Sequence, residues 1–588
     1  MNVHGKILAL GVFCLTAIPL FSQSMYLELN LNNQAIHSRV FQSRSRPALE
    51  LFRVIERAGK DTRIQGILLN VSAYQADRET LWELRTALEQ FKSQGKKICA
   101  FISGADMDLY CLASVADKII MDEQGVLFLS GYAFSRNYVS HTLEKLGIGA
   151  RELRYFEYKS AAETYVRDSL SEADRRQYGE WLDDVFMVTR DTLIKARSWT
   201  PEQFDAILNR EFLYSAKSAL ERGLVDRVGR EDAAAETLKA LEGAEVKQFA
   251  LYGDPASSLM ETKALYGPGR AGGVFSMPPV IAVVHANGQT DMERGMAARN
   301  LAKTIREVSE RKRVKAMVIR IDSPGGSAEA ADYIAEAVKR AKERIPVVVS
   351  MGSVAASGGY WASIYASHII ASPYTLTGSI GVIGNWFYDK GLNDKLGFTV
   401  DSLQRGGHAD LMSGVILPQR DLNAEEEARY RAYILDIYGT FTAKVAAGRG
   451  MDLEQVEAAA QGRVFSGLGA LNAGLIDSIG GLSDAIRIAR NLAEIPEGKK
   501  VVYSEYPKPK FFDRLLDRLP LASVLGAGHV ARGATLNNAA AFLADLLLPE
   551  PLLEDIRYRL ERNGQAMPIL PMESVNLRFG GVWTTTSS

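Results

Sequence analysis

Cysteine is scarce. There are three in 588 residues, Cys14, Cys99 and Cys111. Three thiols cannot build a disulfide framework, and no Cys-x-x-Cys pair occurs to serve zinc or redox chemistry. Each lies in an apolar stretch and reads as a small buried hydrophobe. Histidine is scarce too. The seven are His4, His37, His141, His285, His368, His408 and His529, and none sits in a catalytic signature. His368 follows the serine-bearing turn described below, but it aligns with Lys118 of a sister segment and reads as a surface helix end. A Ser-His-Asp triad therefore has little to stand on. Neither sign of charge is in excess, with 69 basic against 70 acidic residues. No basic stripe is interleaved with aromatics, so the electrostatic footprint of a nucleic-acid binder is missing. The N-terminal uncharged run, residues 7–21 after Lys6, is short for a full membrane span and suits either a signal-peptide core or a marginal anchor. Ser22 and Ser24 have the spacing of a cleavage site, and the segment predicts an extracytoplasmic location.

What is present is a duplicated unit. At this length the chain suits two or three domains, and 47% hydrophobic residues suffice for their cores. YCLASVADKII from Tyr110 and YWASIYASHII from Tyr360 stand at a shift of 250, as do GILLNVS from Gly66 and AMVIRID from Ala316. LYSAKSALERGLVDRVG from Leu213 and VFSGLGALNAGLIDSIG from Val464 match at a shift of 251. Each copy runs through continuous Val/Ile/Leu strands alternating with helices, the pattern of a parallel sheet covered on both faces.

The expected organisation has five parts. Residues 1–24 are a signal peptide or N-terminal anchor, and 25–252 the first repeat. A Gly/Ser/Pro-rich linker occupies 253–278. The second repeat is 279–494, and 495–588 form a C-terminal helical tail. In that tail Phe542, Leu543, Leu546 and Leu547 fall at helical spacing, a stripe for docking on the body or another subunit, or for touching a membrane.

The two copies have divided the chemistry. The second carries Ser357 in MGSVAASGGYW, where a strand ends and a helix is expected to begin at the serine. Free N–H groups and the positive end of a helix dipole make this an address for a nucleophile beside an oxyanion hole. The same position equally suits a helix cap. The first copy has Met107 there. Gly325 and Gly326, in DSPGG, lie at the C-terminal edge of a strand, where ligands bind in α/β sheets. The first copy has VSAYQAD at that turn, so the turn can be made without glycines and the pair is expected to serve a ligand's approach. A serine nucleophile needs a base. Lys159 in EYKSA, flanked by Tyr155, Phe156 and Tyr158, is either a surface lysine or one desolvated toward neutrality. The second copy has Ala409 or Asp410 in its place.

Taken together, MGSVAASGGYW, DSPGG, TGSIGV and EYKSA resemble the signal peptide peptidase A family, also called protease IV, in its long double-domain form, over roughly residues 25–490. The resemblance implies a crotonase/Clp protease-like α/β fold in two tandem repeats. It implies a membrane-associated serine endopeptidase with a Ser-Lys dyad that degrades signal peptides and other apolar peptides at the periplasmic face of the inner membrane. Carried over by position, Ser357 is the nucleophile, Lys159 the general base and Ser379 the residue that orients the lysine, while Gly326 and Gly358 supply the oxyanion hole. No cofactor, metal or nucleic acid is implied, and a homotetramer is. Two other readings of the same fold are an acyl-CoA-binding crotonase-like enzyme and an inactive membrane-associated scaffold.

Overall fold

The structure, a computed structural model, describes residues 24–31, 48–72, 74, 76–252 and 278–508. The expected N-terminal segment, the body of the linker, most of the C-terminal tail with its Phe542–Leu547 stripe, and Cys14, His4, His37 and His529 lie outside the described residues.

The apolar runs of the first repeat become β1 (Ser24–Asn30), β2 (Ile64–Asn70), β3 (Lys97–Asp106) and β4 (Lys118–Phe128). The short strand β5 (Ile148–Leu153) leaves this sheet, and β6 (Leu213–Ser215), β7 (Arg227–Val228) and β8 (Val246–Tyr252) return to it. The sheet order is β6-β4-β3-β2-β1-β8, with β7 beside β4. The second repeat repeats the plan with β9 (Val280–Asn287), β10 (Val314–Ser323), β11 (Val347–Ala356), β12 (His368–Ala371) and β13 (Leu376–Gly378). β14 (Gly384–Asp389) lies apart, and β15 (Val464–Phe465), β16 (Ser478–Ile479) and β17 (Val502–Tyr506) close the series. Its order is β15-β13-β11-β10-β9-β17, with β12 between β11 and β16. Within both sheets the pairing is parallel except for β4 with β6 and β13 with β15.

Parallel strands covered by helices on both faces bury consecutive side chains, and the middle of β10 follows this: Ala316, Met317, Val318, Ile319 and Ile321 are fully buried. Ser327 opens the helix Ala328–Lys342 by accepting the Ala330 N–H on its hydroxyl. Three expectations are adjusted. The helix expected to start at Ser357 is a single turn, Gly358–Trp361, followed by further turns. His368 opens a strand rather than ending a surface helix, and its Nε2 is 2.8 Å from Ser478 Oγ. The stretch from 495 on contributes β17, which pairs in parallel with β9 as β8 does with β1, so the second sheet draws in residues past 494.

The repeats are fastened to each other. β5 pairs antiparallel with β14 across the junction. Arg320 of β10 reaches the helix Arg78–Ser93 of the first repeat, donating to Glu79 Oε1 at 2.6 Å and to Glu83 Oε1 at 2.9 Å. The Leu482 N–H also donates to Glu83 Oε1. Phe156 stacks on Tyr438 with ring centroids 4.0 Å apart.

Candidate active site

The turn after β11 forces Ser357 into φ 57°, ψ −114°, a conformation that side chains larger than hydrogen seldom adopt. Its N–H donates to the Gly378 carbonyl at 2.8 Å, and its own carbonyl accepts from Trp361 N–H. The hydroxyl makes no capping bond, so the helix-cap alternative is not the role the geometry gives it. The two glycines that follow Ser357 are required by contact. A Cβ on Gly358 would lie 2.5 Å from Thr290 Oγ1 and 3.3 Å from the Gly326 nitrogen, and one on Gly359 would lie 2.7 Å from the Ser323 carbonyl oxygen. The same packing brings Gly326 and Gly358 side by side. Gly325 and Gly326 have φ of 102° and 150°, and Gly326 forms a parallel bridge to Thr290.

Lys159 sits in the loop after β5. Its side chain enters the second repeat, and Nζ lies 2.7 Å from Ser357 Oγ, 2.9 Å from Ser379 Oγ and 2.9 Å from the Ser379 carbonyl oxygen. Lys159 is 1% exposed, and Ser357 and Ser379 are fully buried. Ser379 also has positive φ, 52°, and its N–H donates to the Arg463 carbonyl at 2.7 Å. Five residues named from sequence, Ser357, Lys159, Ser379, Gly326 and Gly358, therefore converge. The described histidines do not join them. His408 Nδ1 meets Glu426, His285 approaches Glu505, and His141 is exposed.

Sequence reasoning missed the parts that hold the lysine. The loop Gln461–Arg463 of the second repeat passes against it: the Tyr158 N–H donates to the Gln461 carbonyl and the Gly462 N–H to the Ile380 carbonyl. A Cβ on Gly381 would lie 3.3 Å from Lys159 Cδ. Nearby, Asp174 binds Arg136 and Ser160 in a buried cluster. Gly462 aligns with Glu211 at the shift of 251. The contrast between copies that singled out Gly325–Gly326 was thus available for Gly462 as well.

Chemically, the arrangement pairs a buried hydroxyl with a buried amine beside two adjacent backbone amides, the parts needed for acyl transfer. The model of peptidase family S49 matches residues 90–246 and 339–496, one stretch in each repeat. A chloroplastic serine protease SPPA of Arabidopsis thaliana is 31% identical, over 88% of this chain and 75% of that protein. Protease 4 of Salmonella typhi is 31% identical, over 80% of this chain and 75% of that one. Among solved structures, a ClpP1 of Listeria monocytogenes superposes on 35% of this chain and 94% of its own, at 19% identity and a TM-score of 0.24. The family model covers more than half of the sequence and both relatives align across the two repeats, so the chain belongs to peptidase family S49 and is a serine peptidase.

Proposed function

We propose that this peptidase works through a Ser-Lys dyad shared between its repeats and degrades signal peptides and other apolar, extended peptides. The observation that carries the reading is the set of contacts around Lys159 Nζ. Two of its neighbours, the Ser379 hydroxyl and carbonyl oxygens, can accept hydrogen bonds, and the third, the Ser357 hydroxyl, can donate one. A neutral amine can serve these contacts by donating to the two Ser379 oxygens and turning its lone pair to the Ser357 hydroxyl. Burial of Lys159 disfavours the ammonium, which supports the neutral amine as the acting base.

The steps follow. Nζ takes the proton of Ser357 as Oγ attacks the scissile carbonyl carbon. The resulting oxyanion is stabilised by the N–H groups of Gly326 and Gly358. The lysine ammonium then gives its proton to the departing amine, leaving an acyl-enzyme. A water loses its proton to Nζ, attacks the ester, and releases the acid while the proton returns to Ser357 Oγ. Ser379 keeps the amine aimed throughout.

The same reading assigns the enzyme to the extracytoplasmic, periplasmic face of a bacterial inner membrane, anchored or peripherally associated, as a homotetramer. It is supported by the apolar run at residues 7–21 and by the family. Among the described residues no helix is long and apolar enough to cross a membrane.

The test is cleavage of an unstructured apolar peptide by the purified protein beside Ser357→Ala and Lys159→Ala. Loss of about three orders of magnitude or more in kcat/KM in both variants is expected. Undiminished cleavage by either one rejects the dyad.

A further inference from the structure

We propose that Gln177 is a positioning residue that sets the register between the two halves of the dyad; this rests on the dyad reading above. Gln177 belongs to the first repeat, on the helix Glu172–Arg197, and is 1% exposed. Its carboxamide touches both repeats at once. On one end, Nε2 lies 3.1 Å from the Tyr158 carbonyl oxygen, 3.3 Å from Ser160 Oγ and 2.7 Å from Asp174 Oδ1. Tyr158 and Ser160 are the residues on either side of Lys159. On the other end, Oε1 accepts the Val464 N–H at 3.1 Å.

Val464 leads directly to the serine. It lies in β15, opposite Gly378 of β13. The Gly378 carbonyl accepts the Ser357 N–H, and the next residue, Ser379, donates its N–H to the Arg463 carbonyl. One side chain thus joins the backbone that carries the base to the strand pair that carries the nucleophile and the lysine's orienting hydroxyl.

The amide cannot be reversed or replaced by a carboxylate. Its oxygen faces a backbone N–H, which only donates, while its nitrogen faces a backbone carbonyl and the carboxylate paired with Arg136. A glutamate at 177 would set an acceptor against two acceptors. A methionine would fill the same space with no polar bond on either side.

The general base must meet Oγ at hydrogen-bond distance, and a displacement of about 1 Å costs about 10²-fold in rate. Gln177 is buried and bonds the neighbours of Lys159 and Val464, with no contact to the Ser357 hydroxyl. The loss is therefore expected in kcat and not in substrate affinity.

The experiment compares wild type, Gln177→Met, Gln177→Glu and Ser357→Ala on one apolar peptide, at a temperature where circular dichroism shows the variants folded. Labelling of Ser357 by a fluorophosphonate is followed in parallel. Both Gln177 variants are expected to lose about 10²-fold in kcat with KM within about twofold, and to label more slowly by the same factor. A kcat within about threefold of wild type in either folded variant, beside an inert Ser357→Ala, overturns the proposal alone. So does failure of both variants to fold, since the residue is then needed for the fold itself. A Ser357→Ala enzyme that still cleaves overturns the dyad reading instead.

Discussion

Gly462 stands so close to Lys159 that a Cβ on the glycine would lie 2.5 Å from the lysine Cβ and 2.6 Å from its backbone nitrogen. Its φ is +82°, in the left-handed region. Gly462→Ala would meet both obstacles together, backbone strain of about 1–2 kcal/mol and a clash that only movement of the lysine loop relieves. That loop places Nζ, so kcat/KM is expected to fall about 10²-fold, well beyond the effect of the lost stability. Steady-state kinetics beside a thermal melt separates the two, and full activity in Gly462→Ala would show that the loop does not set the lysine.

Ser379→Ala removes one of the groups around Nζ but leaves the residue's carbonyl bond to it. A lost hydrogen bond in a buried site is worth about 1–3 kcal/mol, so a loss of about 10- to 10²-fold in kcat is expected. The variant should remain clearly more active than Lys159→Ala. An effect as severe as that of Lys159→Ala would make Ser379 a direct participant in proton transfer.

Arg320 holds two carboxylates that both come from the other repeat. Burial pushes the Glu79 carboxyl well above the usual range, Arg320 opposes this, and Glu83 reinforces it. Arg320→Met would leave the pair without its cation, at a cost of about 3–5 kcal/mol. The folded state then keeps a proton that the unfolded chain releases, so the destabilisation should deepen as pH rises from 5 to 8. Denaturant melts across that range measure it. A cost that stays flat with pH would mean the carboxylates find another partner.

Glu152, on β5 at the junction, has its carboxyl pushed up to about 7, first by burial and then by Glu163, with Arg154 opposing. Its Oε1 has no hydrogen-bond partner among the described residues. A raised carboxyl contributes stability at low pH that is lost as pH climbs through the folded value. Glu152→Gln should therefore be more stable than wild type at pH 8, by on the order of 2 kcal/mol, with the advantage vanishing toward pH 5. Thermal melts at the two pH values decide it, and a variant less stable at pH 8 contradicts the assignment.

The architecture was readable because duplication printed it twice: the matched strands at a shift of 250 became two sheets of the same order. Ser357 and Lys159 were readable because each stands where the sister copy has something else. Gln177 and Asp174 carried no such mark. A glutamine and an aspartate three residues apart look like any charged helix face, and their meaning depends on Val464, 287 positions along the chain. The short helix after Ser357 was overcalled since SGGYWASIYA reads as a good helix, yet tertiary packing lets only Gly358–Trp361 form one. β17 was missed because five residues at a sheet edge show little periodicity.

The division of the dyad between separately built sheets has a consequence during synthesis. The ribosome releases the half carrying Lys159 first, and it has no nucleophile to activate. Ser357 emerges about 200 residues later, and Gln461–Arg463, which clasp the lysine loop, follow later still. On the proposed dyad, an unfinished chain carries no working cleft, and a truncated product is inert wherever it is left. On that reading the cell makes a hydrolase of apolar peptides that stays silent beside its own nascent neighbours until the loop around Gly462 has been made.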